Sequence, residues 1–206
     1  MRIVVFGASG GTGREVVAQA LAEGDEVVAV ARAGSVVPPG VEVVRAGFDE
    51  HGVIEDAVRG ADVVVSALGT RGRGPTSVCT DGVGAAIAAM RRTGVRRLLV
   101  VSAAGLPGEG DGPLLRRLVK PVLQWVLRDH YADLTRMEEI VRASGLDWTI
   151  VRPPRLTDGP RTGRYRRALD RHLAGGLRVA RADVATEILR AAADRDTVGH
   201  LVAIAD

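Results

Sequence analysis

The chain has 206 residues, 46% of them hydrophobic and 26% charged, with a formal net charge of +3, which is the balance of a folded domain and excludes extensive disorder. Lys120 is the sole lysine; the other 27 basic residues are arginines scattered among 25 acids, so the basic excess predicts no nucleic-acid partner. Cys79 stands alone and the four histidines (His51, His130, His172, His200) have no ligand spacing, which excludes an intrachain disulfide and predicts no metal site.

In chain order, the β-branched run 3–6 predicts a first strand, and the pattern over 12–23 a helix stopped by Gly24. Strands are predicted at 26–31 and 41–44, a helix at 50–59 closed by Gly60, and a strand at 62–67. A helix at 77–92 ends at Thr93-Gly94, and three more strands follow at 97–101, 147–151 and 200–204. Residues 108–113, Gly-Glu-Gly-Asp-Gly-Pro, read as a loop, either a lid over a site or a solvated connector. Residues 113–127 read as a basic amphipathic helix that Pro121 bends or splits, packed over a cleft or lying on a membrane surface. No apolar run reaches spanning length, and the strand pattern starts at once, which leaves no room for a signal peptide and predicts a cytoplasmic protein.

Near-continuous apolar strands separated by helices predict a doubly wound α/β domain with a parallel sheet, a single unit over 1–206. The densest signal is Gly7-Ala8-Ser9-Gly10-Gly11-Thr12-Gly13, directly between the first strand and first helix. Glycines there let backbone N–H groups approach a pyrophosphate at a helix N-terminus, and Ser9 and Thr12 add hydroxyls. An NAD site usually carries an acid at the end of the second strand, to hold the ribose hydroxyls. Here that end reads Val30-Ala31-Arg32-Ala33-Gly34-Ser35. Arg32 can pair with a 2′-phosphate, so NADP(H) is predicted over NAD(H). Gly69, in Ser66-Ala67-Leu68-Gly69-Thr70-Arg71, permits close approach of the backbone to the cofactor. Ser102, after the fifth strand, either hydrogen-bonds a substrate carbonyl or satisfies the strand end. A Tyr-x-x-x-Lys pair is absent: four residues beyond Tyr131 is Thr135, and four beyond Tyr165 is Leu169.

The glycine turn, Leu68-Gly69-Thr70-Arg71, Arg136-x-Glu138 with Ser144-Gly145-Leu146, Val151-Arg152-Pro153-Pro154, Thr162-Gly163-x-Tyr165 and 181–185 together resemble atypical short-chain dehydrogenases of the NAD(P)H-binding, NmrA-like group, nearest the flavin reductase/biliverdin reductase B branch. The resemblance implies NADP(H) over the glycine loop, with Arg32 on its 2′-phosphate. A second family arginine four residues on is Val36 here, and the aspartate after the third strand falls at Gly47, shifting the adenine contact to Phe48 or Asp49. A family serine falls at Ala103, and a histidine after Pro-Pro at Arg155. Arg155 then holds an acidic or enolate-like substrate or a flavin phosphate, or forms a structural ion pair.

The expected cofactor set is Gly7, Ser9, Gly10, Gly11, Thr12, Arg32, Phe48, Leu68, Gly69, Thr70, Arg71, Val101, Ser102 and Pro153. The expected catalytic set is Ser102, Tyr131 and Arg155, with Trp125 and Tyr165 also lining the pocket. The implied activity is hydride transfer to a planar conjugated acceptor by a monomer or weak homodimer. The alternatives are a non-catalytic NADP(H) sensor that binds a partner protein, and a redox-neutral isomerase or cyclase.

Overall fold

The computed structural model describes residues 1–70, 74–105 and 128–206. Strands β1 (Arg2–Phe6), β2 (Glu26–Ala31), β3 (Glu42–Arg45), β4 (Val63–Ser66), β5 (Arg97–Val101) and β6 (Asp147–Arg152) run parallel in the order β3-β2-β1-β4-β5-β6. β10 (His200–Ala205) extends the sheet in parallel beside β6, and β8 (Arg166–Leu169) closes that edge antiparallel. β7 (Arg155–Thr157) and β9 (Arg178–Ala180) pair separately. The predicted parallel strands are all present.

Side chains alternate across a strand, so each strand feeds two cores. Val4, Phe6, Val28, Val30, Val64, Leu98 and Val100 face one cluster, covered by α2 (His51–Val58), α3 (Val78–Thr93) and α4 (Arg128–Arg142). Ile3, Val5, Val27, Ala29, Val63, Val65 and Leu99 face the other, covered by α1 (Gly11–Ala22) and α5 (Arg181–Ala193). Each valine, leucine or isoleucine among them, fully buried, contributes about 1.5–3 kcal/mol, which is how a chain with 3% aromatics builds its core mainly from aliphatics.

The short β7, β8 and β9 are absent from the sequence reading. Each is only three or four residues long and opens on an arginine, and β7 and β8 hold no buried residue, so none shows the apolar run that marks a buried strand. The predicted loop at 108–113 and helix at 113–127 lie outside the described residues, as do Arg71, Lys120 and Trp125. Among the described residues, no helix is long and apolar enough to cross a membrane.

Candidate cofactor and substrate site

Register places the site. Phe6 lies opposite Val30 of β2 and Ser66 of β4, so the chain leaves all three strands at one level. Connections diverge to opposite faces between β1 and β4, and open α/β sheets bind ligands beyond the strand ends at that point. A cleft of about 320 Å3 opens there. Among its lining residues are Gly7, Ser9, Gly10, Arg32, Phe48, Leu68, Gly69 and Thr70, all from the expected cofactor set.

The glycines are forced by close approach. Gly7 has φ +82°, and a Cβ there would lie 2.6 Å from the Ala67 carbonyl oxygen. A Cβ on Gly13 would sit 2.1 Å from the Gly7 carbonyl oxygen. Gly10 closes the turn by donating its N–H to that oxygen at 2.9 Å, and serves as the α1 N-cap without a side-chain hydrogen bond. The first turn of α1 also carries no acid. Neither the N-cap nor an acid of the first turn thus takes the first N–H groups of the helix, which suits a pyrophosphate. Thr12 is buried beneath the turn, and Gly11 lies under the Arg181 side chain, which forms an ion pair with Asp158.

The wall of the cleft formed by Phe48 and Leu68 is shaped by a position that the sequence reading missed. A Cβ on Gly82, in α3, would meet Leu68 Cδ1 at 2.3 Å and Phe48 Cζ at 2.9 Å, so this glycine lets both side chains seat at the cleft. Phe48 lines the cleft, whereas Asp49 belongs to a separate surface recess. Arg32 is exposed, on a loop that Arg45 braces by donating to the carbonyls of Arg32 and Ser35 at 3.1 and 2.8 Å.

Val101, Ser102 and Pro153 lie at the ends of β5 and β6, further along the same sheet edge. Ser102 N–H donates to the Val151 carbonyl, and Ala104 N–H to that of Pro153. Ser102 is 6% exposed, and its hydroxyl donates to Glu138 Oε1 at 2.6 Å. Glu138 also accepts from Arg152 Nε at 2.8 Å and from Arg142 at 3.3 Å. The single Ser102 proton is thus held by a buried carboxylate, Glu138.

Tyr131, on the first turns of α4, is half-buried, with its hydroxyl 3.5 Å from the Ala104 carbonyl oxygen and beside Gly105. Burial pushes its pKa up. Its neighbour His130 places Nδ1 3.1 Å from Thr70 Oγ1, and burial pulls its pKa down. The pairing with Thr70, which lines the cleft, brings an imidazole beside it.

Tyr165 is not brought to Tyr131. It packs against the α1/α5 cluster while Tyr131 packs against the other, and its hydroxyl donates to Glu187 at 3.0 Å. Burial, with the Glu187 charge, pushes the Tyr165 pKa up to about 12. Arg155 opens β7, exposed, and its side chain has no ion pair or hydrogen bond among the described residues.

The sequence and the fold are both similar to those of known proteins. The (4-alkanoyl-5-oxo-2,5-dihydrofuran-3-yl)methyl phosphate reductase of Streptomyces griseus is 31% identical over 154 residues, covering 73% of this chain and 46% of that protein. The chain spans only 14% of the length of the mycobacterial relatives it matches. ChuY, an anaerobillin reductase from Escherichia coli O157:H7, superposes with TM-score 0.82 at 25% identity, over 100% of this chain and 97% of that one. A short-chain dehydrogenase/reductase from Veillonella parvula, solved with NADP, gives TM-score 0.82 at 24% identity, over 100% and 94%. The family model for NAD(P)H-binding proteins matches residues 7–195, a span running from the first glycine of the turn to beyond α5, and the chain belongs to this NAD(P)H-binding family.

Proposed function

We propose that the protein is an NAD(P)H-dependent reductase that prefers NADP(H) and acts on a planar conjugated acceptor such as a flavin, a quinone or a polyketide-like carbonyl. The observation that carries this reading is the cleft at the β1/β4 divergence, lined by both the glycine turn and Arg32. The bound dinucleotide supplies hydride chemistry. Gly7, Gly10 and the first turn of α1 hold its pyrophosphate, Phe48 and Leu68 wall its adenine side, and Arg32 takes its 2′-phosphate. The reductase names of the Streptomyces relative and of ChuY favour reduction over a sensor or isomerase role.

The acceptor class follows from what the tyrosines cannot do. A hydroxyl that protonates a carbonyl at neutral pH is normally helped by a neighbouring cation that lowers its pKa. Tyr131 and Tyr165 are both shifted the other way. A flavin or quinone spreads incoming negative charge over its own ring system and needs little acid from the protein. Tyr131, protonated at neutral pH, remains a hydrogen-bond donor beside Gly105, and Arg155 is available to an anionic substituent.

The test is NADPH oxidation by the purified protein, followed by nicotinamide absorbance, with flavins, quinones and aromatic ketones. Turnover of flavins or quinones well above ketones is expected. Binding of NADPH without oxidation by any acceptor overturns the reading in favour of a sensor. A product with no added hydrogens points to an isomerase.

A further inference from the structure

Val36 occupies the position where the resemblance calls for a second phosphate-binding arginine. The fold brings another arginine to the same place. Arg14, on the first turn of α1, lines one recess with Ser9, Arg32 and Ser35, just outside the main cleft. No acid lines that recess. Among the described residues, neither the Arg14 nor the Arg32 side chain has an ion pair or a hydrogen bond, although most arginines of this chain are so engaged.

The arrangement is electrostatically unfavourable as it stands. A cation near a helix N-terminus opposes the helix dipole, and two guanidiniums facing one recess repel. A dianion between them reverses both effects, and guanidinium forks match phosphate oxygens. Arg45 braces the loop carrying Arg32 and Ser35 through two backbone carbonyls, so the far wall of the recess is held before any ligand arrives.

We infer that Arg14 is the second arm of a two-arginine clamp on the cofactor 2′-phosphate, taking the role that Val36 cannot. The inference rests on the NADP(H) preference proposed above and assigns it to a pair of residues from different elements. Arg14 is therefore a specificity-determining residue for NADP(H) over NAD(H).

The test is calorimetric binding of adenosine 2′,5′-bisphosphate and of 5′-AMP, at one ionic strength, to wild type, Arg14→Gln, Arg32→Gln and the double variant. Both arginines are exposed, so the variants are expected to fold. Arg14→Gln should weaken the bisphosphate about ten- to a hundredfold and AMP less than about twofold, and the double variant should bind the two nucleotides alike. Equal losses for both nucleotides in Arg14→Gln, or no loss for either, overturn the role of Arg14. If only Arg32→Gln abolishes discrimination, the NADP(H) preference stands and the clamp does not. If wild type binds both nucleotides alike, the clamp and the preference fall together.

Discussion

The glycines of the first turn look equivalent in sequence and are not equivalent in space. The Cβ that alanine would add at Gly13 meets backbone at 2.1 Å, and backbone cannot move aside. At Gly11 the added Cβ meets Cδ of Arg181 at 2.6 Å, the middle of a flexible arm on another helix. Gly13→Ala should therefore cost several kcal/mol, on the order of an overpacked core, and abolish NADPH binding, whereas Gly11→Ala should cost less than about 1 kcal/mol. Urea denaturation and NADPH titration check the contrast, and equal losses at the two positions would contradict it. Ser102 gives a second residue-scale prediction. Its proton is committed to Glu138, which keeps Arg152 and Arg142 when the serine is lost. Ser102→Ala should lower stability by about 1–2 kcal/mol and change turnover less than about threefold. A large fall in kcat with unchanged stability would instead make the serine a direct catalytic group.

Between elements, Asp133 ties α4 to α3. The nominal N-cap of α3, Ser77, makes no capping hydrogen bond. Asp133, buried on α4, accepts instead from Cys79 N–H at 2.9 Å, Thr80 N–H at 3.0 Å and the Thr80 hydroxyl. Burial alone would raise its pKa, but the hydrogen bonds from Thr80 and Cys79 outweigh it and the net shift is downward. A depressed carboxylate adds stability above its unfolded pKa, and that stability is lost as pH falls through the folded value. Asp133→Asn should destabilise by about 2–4 kcal/mol at neutral pH, and the difference from wild type should shrink below about pH 4. Denaturant melts at the two pH values decide it, since a pH-independent difference would mean that packing, not charge, is lost. This cap was not legible in the sequence, because donors and acceptor lie more than fifty residues apart. The strands were legible for the opposite reason: β1, β2, β4 and β5 are apolar runs buried on both faces, so composition alone marks them. β8 is Arg-Arg-Ala-Leu on a half-exposed edge, where backbone pairing with β10 rather than side-chain burial makes the strand.

Across the whole molecule, the cleft draws its walls from stretches scattered through the first 80 residues, meeting only because β1, β2 and β4 end at one level. The glycine turn and Arg32 were readable because each is local to one strand end. Arg14 was not, since only docking of α1 against the sheet sets it beside the β2 loop. The same dispersion has a thermodynamic consequence. A ligand gripped by residues from several elements binds the folded state and has no equivalent site on an unfolded chain, so its binding free energy adds to global stability by mass action. At a hundredfold excess over Kd, NADPH should add about 2.7 kcal/mol, which for a domain of this size raises Tm by roughly 5–10 °C. If the lack of 2′-phosphate contacts weakens NADH about tenfold, the same concentration of NADH adds only about 1.4 kcal/mol and roughly 3–5 °C. Calorimetric melts with the two nucleotides at matched concentration measure the difference directly. Equal shifts would show that the charge at the end of β2 does not discriminate. No shift with either nucleotide would show that the cleft does not hold a dinucleotide at all, because mass action leaves a tight ligand of the native state no way to avoid raising Tm.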